Sequence, residues 1–150
     1  MPEPTFSHLS ADGTARMVDI GHKPVQRRTA VAAGFVRCAM TTLEALQARA
    51  LPKGDVLTVA RIAAIQAAKR TDALIPLCHS LPLDTVEVDF TVETDGIAIA
   101  ATVVTTAKTG VEMEALTAVS VAGLTIYDMC KAVDKGMVLE NVRLVSKTKQ

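Results

Sequence analysis

The chain has no tryptophan, and aromatic residues make up only 3% of its 150 residues. The 49% of residues that are hydrophobic are therefore mostly Ala, Val, Leu, Ile and Met. Side chains of this size bury little area each, and complete burial of a Val or Leu side chain contributes roughly 1.5–3 kcal/mol of stability. We expect one compact core of small side chains, in a protein that gains further burial by assembling with copies of itself.

An excess of charge of either sign is also missing, because 16 Lys and Arg residues balance 16 Asp and Glu residues. A general nucleic-acid-binding protein needs a basic excess, so that class is excluded. A neutral chain can still concentrate basic residues in one cleft, which suits a small anionic ligand better than a polymer.

The three cysteines, Cys38, Cys78 and Cys130, lie far apart and form no Cys-x-x-Cys pair. A zinc ribbon and a dithiol redox motif are therefore excluded, and we expect no metal site. The N-terminal residues show no basic region followed by an apolar run, and no apolar stretch reaches the roughly 18 residues that a membrane span requires. These features predict a cytoplasmic protein.

Hydrophobic periodicity predicts an α+β fold in which helices pack on one face of an antiparallel sheet. The polar residues 1–15 predict a flexible N-terminal arm, followed by a single domain over 16–150. Asp55 is the expected N-cap of the second helix. The predicted elements are strands at 16–20, 28–37 and 137–145, helices at 41–50, 55–69 and 110–133, and a hairpin over 85–104 with its turn at Asp95-Gly96.

Residues 108–114 precede and begin the last helix and allow several interpretations. Lys108-Thr109 resembles the end of a P-loop, but the two required glycines are replaced by Ala107 and Thr102. Thr109 followed by Glu112 favours a capping box, with ligand binding by Glu112 as the alternative. Glu114 has no capping role, so binding of a polar ligand is an equally good interpretation of it.

Asp128 and Lys131 are three residues apart on the same predicted helix, so their side chains are neighbours. A surface ion pair is the favoured interpretation, and a lysine held as an acid–base catalyst is the alternative. At ~1.5 Å per residue, Glu114 and Asp128 are separated by about 21 Å along the helix axis. With both expected on the side away from the core, they either serve different purposes or form sites between two chains.

His79 and two of the cysteines, Cys78 and Cys130, are further candidate site residues. A histidine in an apolar loop is more often one whose hydrogen bonds are satisfied than a catalyst, so this interpretation is favoured for His79. Cys78 is adjacent to His79, and adjacent residues rarely converge on one metal ion. Cys130 lies on the apolar stripe of the last helix, which favours a buried structural role.

Seven segments, within a region from Ser7 to Leu144, resemble the cyclic pyranopterin monophosphate synthase family of molybdenum-cofactor biosynthesis. These segments are MVD at 17–19, KGDV at 53–56, ARIA at 60–63, IQAAKRT at 65–71, LIPLCH at 74–79, TGVEMEALT at 109–117 and IYDMCKA at 126–132. The resemblance implies a ferredoxin-like fold and a homohexamer, arranged as a trimer of dimers with active sites at the dimer interfaces. It also implies that a cyclised dihydroguanosine triphosphate, made from GTP by a radical enzyme, is converted to cyclic pyranopterin monophosphate and pyrophosphate.

The resemblance also implies site residues within the single catalytic domain, 16–150. The catalytic residues are Asp128, Lys131 and Lys53, and the substrate-binding residues are Leu77, Cys78, His79, Glu112, Met113, Glu114, Lys69 and Arg28. The basic residues suit a triphosphate, and the glutamates can accept hydrogen bonds from a guanine-derived ring. A lysine among other lysines has a lowered pKa, and we expect Lys131, oriented by Asp128, to act as such a base.

No cofactor is required by these residues, and a magnesium ion accompanying the triphosphate is left open. The chain departs from the family at Ser80, where many members have proline, and in its short C-terminal tail. One alternative is a non-catalytic module that binds a GTP derivative within a larger assembly; the intact Asp128 and Lys131 argue against it. A structural oligomerisation protein and another phosphate-handling enzyme, such as a GTP cyclohydrolase, are further alternatives. The latter normally carries zinc-ligand spacing that this chain lacks.

Overall fold

The computed structural model describes residue 1, residues 5–49, residue 51 and residues 55–150. The elements, in chain order, are β1 (Gln26–Arg37), α1 (Met40–Gln47), α2 (Val56–Ala68), α3 (Thr71–Leu74), β2 (Thr85–Val92), β3 (Gly96–Ala107), α4 (Glu112–Cys130) and β4 (Val138–Lys149). The four strands form one sheet in the order β2-β3-β1-β4, with every neighbouring pair antiparallel. This is the predicted α+β architecture, with a ferredoxin-like arrangement.

The core lies between the inner face of the sheet and the helices α2 and α4. Alternate residues of β1 face the core, among them Ala30, Ala32 and Val36, and the alternation of β2 and β3 matches the predicted hairpin. Where α2 packs against α4, the buried side chains are largely alanine, including Ala60 and Ala118. Small side chains let two helix axes approach closely, which replaces the bulk that aromatic residues would otherwise supply.

The predicted start of the second helix is confirmed. Asp55 is the N-cap of α2, and its carboxylate accepts a hydrogen bond from the Thr58 backbone N–H at 3.2 Å. The first helix is shorter than predicted, because α1 ends at Gln47 and Arg49 takes a left-handed φ of 53°. Among the described residues, no helix is long and apolar enough to cross a membrane.

The hairpin turn differs by one residue from the prediction. The Glu93 N–H bonds to the Gly96 carbonyl, so Thr94 and Asp95 form the turn, and Gly96 is already the first residue of β3. Gly96 does not need a positive φ. It is required because a Cβ there would lie 2.3 Å from the Val36 carbonyl oxygen and 2.5 Å from the Phe35 ring.

The strand predicted at 16–20 is wrong. Residues 16–20 have no strand partner, and the edges of the sheet are β2 and β4. The apolar side chains of Val18 and Ile20 instead line a cavity near the start of α4. Their alternation therefore reflects contact with that cavity rather than pairing in a sheet.

Candidate functional site

One cavity of about 310 Å³ brings together six residues that the sequence predicts to bind substrate. It lies where the loop after α3 meets the first turn of α4, with the N-terminal segment as its third wall. The predicted residues in its lining are Leu77, Cys78, His79, Glu112, Met113 and Glu114. We call this space the ring cavity.

A larger hollow of about 480 Å³ lies on the outer face of the sheet but contains none of the predicted residues. Three of its charged groups are tied to one another, since Arg37 bonds to Asp95 at 2.6 Å and also to Glu140. Ionic groups that satisfy each other are a poor site for a charged ligand. The ring cavity is therefore the better candidate despite its smaller volume.

His79 is both satisfied and part of the ring cavity. Its Nε2 lies 2.7 Å from the Val18 carbonyl oxygen, and a carbonyl can only accept a hydrogen bond. In the neutral imidazole the proton is therefore on Nε2, and Nδ1 is the nitrogen able to accept a proton. The predicted satisfaction of His79 by a hydrogen bond is present, through a residue 61 positions away in the sequence, and it leaves the histidine able to act in the site.

Glu114 is the most perturbed carboxylate near the cavity. Only 4% of it is exposed, and burial raises its pKa from the ordinary value of 4.5 to about 7. This net value includes an opposing contribution from the backbone N–H of Glu114 itself and smaller upward contributions from the carboxylates of Glu112 and Asp72. The expected position away from the core is wrong for Glu114, because the N-terminal segment and the loop after α3 cover the start of α4.

The capping box predicted for Glu112 is also wrong. The N-cap of α4 is Val111, and no side chain caps that end. The Glu112 carboxylate instead lies against Gly110 and pairs with Lys147 on β4, with 3.2 Å between Oε1 and Nζ. The ligand-binding alternative for Glu112 therefore gains support from its position at the edge of the ring cavity.

A second, smaller cavity of about 220 Å³ lies on the other side of Glu112. Its cations are Arg28, Lys147 and Lys149, and it shares Glu112 and Gly110 with the ring cavity. We call it the basic cavity. The β1–β4 register pairs Arg28 directly with Lys149, so two like charges lie on adjacent strands.

Arg28, rather than its neighbour Arg27, is the arginine that lines the basic cavity. The Arg28 guanidinium donates to the backbone carbonyls of Ala107 and Lys108, each at 3.3 Å, and lines the basic cavity. Arg27 is exposed and pairs through its backbone with Gln150.

The predicted substrate-binding residue Lys69 lies in neither cavity. Its side chain is exposed in a neighbouring hollow, and that hollow shares only Leu81 with the ring cavity.

Asp128 and Lys131 lie at the opposite end of α4, about 21 Å from Glu114 at ~1.5 Å rise per residue. Lys131 Nζ lies 2.8 Å from Asp128 Oδ1, and both side chains are more than half exposed. The hydrogen bond to Asp128 raises the pKa of Lys131. The lowered pKa expected for Lys131 is therefore wrong within one protomer, because a carboxylate and not another ammonium group is its contact. Lys53 lies outside the described residues.

Lys23 and Asp134 are not among the predicted site residues; Lys23 lies near the start of α4, and Asp134 lies just after its end. Lys23 lines the ring cavity and is the only lysine or arginine in its lining among the described residues. Asp134 is buried behind the end of α4 and accepts hydrogen bonds from Ala39 N, Thr42 Oγ1 and Gly136 N, which lower its pKa. The Asp-x-Gly spacing after a helix is typical of a local side-chain turn and could have identified Asp134.

Comparison with known proteins gives consistent matches. The MoaC family model matches residues 17–150. A cyclic pyranopterin monophosphate synthase from Novosphingobium aromaticivorans is 60% identical over 142 residues, covering 95% of this chain and 90% of the relative. Another from Oleidesulfovibrio alaskensis is 57% identical over 145 residues, covering 95% of this chain and 91% of the relative. A molybdenum cofactor biosynthesis bifunctional protein from Chlorobaculum tepidum is 54% identical over 143 residues, covering 95% of this chain but 46% of that longer protein.

Proposed function

The chain belongs to the MoaC family, and we propose that it is a cyclic pyranopterin monophosphate synthase, a lyase of molybdenum-cofactor biosynthesis. Its substrate is a cyclised dihydroguanosine triphosphate, and its products are cyclic pyranopterin monophosphate and pyrophosphate. The observation that carries this proposal is the ring cavity, in which two separate sequence segments, 77–79 and 112–114, line the same space.

The ring cavity binds the guanine-derived ring of the substrate. Glu114 accepts hydrogen bonds from ring N–H groups, and Nδ1 of His79 accepts a proton during ring opening and closure. A carboxyl group with a pKa of about 7 exchanges protons readily near neutral pH, as general acid–base catalysis requires. The partial burial of Cys78 raises the pKa of its thiol, so Cys78 contributes shape to the cavity and not a nucleophile.

The basic cavity binds the triphosphate. Arg28 and Lys149 lie opposite each other on β1 and β4, an arrangement that repulsion disfavours until an anion lies between the charges. Lys147 is neutralised by Glu112 in the free protein and becomes available if that carboxylate turns toward the ring. Any magnesium ion in the reaction would accompany the phosphate oxygens of the substrate.

Asp128 and Lys131 act on the substrate from a second copy of the chain, in a homohexamer built as a trimer of dimers, and Lys53 is the third catalytic residue. The separation of Glu114 from Asp128 along α4 supports this arrangement, because one small ligand cannot contact both ends of the helix. The cyclic phosphate forms when a sugar hydroxyl oxygen bonds to the α-phosphorus and the bond to pyrophosphate breaks. With a raised pKa, Lys131 is protonated at neutral pH and suits stabilisation of the departing pyrophosphate.

A single-turnover assay tests the activity. The cyclised substrate is mixed with excess protein, and pyrophosphate and the pterin product are followed for the parent, Lys131→Met and the control Lys135→Met. We expect both products in equal amounts from the parent and the control, and a severe loss in Lys131→Met. Tight binding of the substrate without pyrophosphate release from the parent would instead favour a non-catalytic binding module.

Mixing two inactive variants tests whether sites are shared between copies. Glu114→Gln and Lys131→Ala disable opposite ends of α4, so a mixed dimer retains one intact site. After subunit exchange at equal ratio, roughly a quarter of the parent activity should return in a symmetric dimer. Asp128→Asn mixed with Lys131→Ala is the matched control, because both changes affect the same end and no activity should return. Failure of the first mixture after verified exchange would contradict sites formed between copies.

A further inference from the structure

The segment 18–23 forms a wall of the ring cavity without belonging to any helix or strand. Val18, Ile20 and Lys23 contribute to the lining. The hydrogen bonds within the segment make a tight turn, since Gly21 N donates to Asp19 Oδ1 at 2.8 Å and Lys23 N donates to the Ile20 carbonyl at 3.0 Å. These bonds shape the turn but do not attach it to the rest of the domain.

Two side-chain bonds, one near each end, attach this segment to the site. His79 Nε2 binds the Val18 carbonyl, and Lys108 Nζ donates to the Gly21 carbonyl at 2.8 Å. The first bond comes from the loop after α3, and the second comes from the connection between β3 and α4. The cavity wall is therefore held from the loop that contains 77–79 and from the connection that leads directly into 112–114.

Lys108 is itself fixed at its backbone. The guanidinium of Arg28 donates to the carbonyl of Lys108 and to that of Ala107, so β1 holds the connection from which the lysine extends. Lys108 resembled the lysine of a P-loop in the sequence, yet its ammonium group is directed at the carbonyl of Gly21. Its position in the structure thus indicates a different use from anion binding.

We propose that Lys108 is a positioning residue that fastens the segment 18–23 as a wall of the ring cavity. The bond between an ammonium group and a carbonyl holds the turn so that Ile20 and Lys23 keep their places in the lining. Lys108 does not line the cavity itself, so its effect on substrate is indirect. The attachment is independent of the reaction, whereas its effect on substrate affinity depends on the proposed function.

Hydrogen exchange measured by mass spectrometry tests the attachment directly. Lys108→Met keeps the length of the side chain and removes its donors, Lys108→Arg restores donors, and Lys135→Met is the control for loss of an exposed lysine. In Lys108→Met we expect amides of 18–23 to exchange roughly tenfold faster, the change expected for loss of one charged hydrogen bond. Amides of β3 should keep the parent rate, which shows that the fold is intact, and Lys108→Arg should restore slow exchange.

Steady-state kinetics tests the consequence for the site. We expect Lys108→Met to raise KM roughly tenfold with a smaller change in kcat, because a displaced wall weakens binding before it affects chemistry. Unchanged exchange over 18–23 in Lys108→Met would overturn the attachment, and faster exchange with an unchanged KM would overturn the positioning role. If the parent protein turned over no substrate, the proposed function would fail while the exchange data still decided the attachment.

Discussion

Replacing Glu114 with glutamine should change how the stability of the protein depends on pH. Burial raises the pKa of Glu114 from 4.5 to about 7, so the folded protein holds a proton that the unfolded chain releases at lower pH. This difference in pKa corresponds to about 3 kcal/mol in the free energy of unfolding, which is larger when Glu114 is protonated. That contribution is complete below about pH 4.5 and is lost as the pH rises through about 7.

Glu114→Gln mimics the protonated side chain and cannot ionise. Its free energy of unfolding should therefore match that of the parent near pH 4 and exceed it by up to about 3 kcal/mol near pH 8.5, where the parent must bury a charge. Urea unfolding followed by circular dichroism is the suitable assay, because the chain has no tryptophan. Protein concentration must be held constant, since any assembly of copies adds to the measured stability.

The comparison isolates one carboxyl group, because all other titrating residues are shared by the two proteins. Glu44→Gln, on the exposed surface of α1, controls for the loss of one negative charge. If the free energies of unfolding of the parent and of Glu114→Gln changed in parallel between pH 5 and 8.5, the conclusion that burial raises the pKa of Glu114 would be refuted. The proposed role of Glu114 in proton exchange would then lose its physical basis as well.

Three further changes have distinct expected outcomes. Asp134→Ala should lower the free energy of unfolding by about 2 kcal/mol near neutral pH, with the difference shrinking toward pH 3 as the carboxylate of the parent is protonated; urea unfolding across that range measures it. Gly96→Ala forces a methyl group against the Val36 carbonyl and should cost about 2 kcal/mol or more in the same assay, whereas a neutral effect would contradict the close approach. Glu112→Gln releases Lys147 and should tighten binding of inorganic tripolyphosphate in low-salt calorimetry, with unchanged affinity arguing against the basic cavity.

The elements with a strong repeating pattern were predictable. The hairpin of β2 and β3 follows from strict alternation, and the start of α2 follows from Asp55, because both depend on contacts between residues close in the chain. The strand expected at 16–20 was wrong because its apolar side chains face a cavity, and periodicity cannot distinguish a cavity from a sheet neighbour. The capping box failed because Lys147, which lies 35 positions further on, competes for the Glu112 carboxylate.

The sequence by itself determined the fold class, the family and six of the residues that line the ring cavity, since long motifs and periodicity are properties of local sequence. Only the tertiary structure decided the burial of Glu114 and its pKa, the pairing of Arg28 with Lys149, and the contact of Lys108 with Gly21. It also reversed the direction of the pKa shift expected for Lys131. Each of these features depends on distances in the folded chain, because desolvation and charge–charge energies vary steeply over a few ångströms. The order of residues along a chain does not specify such distances.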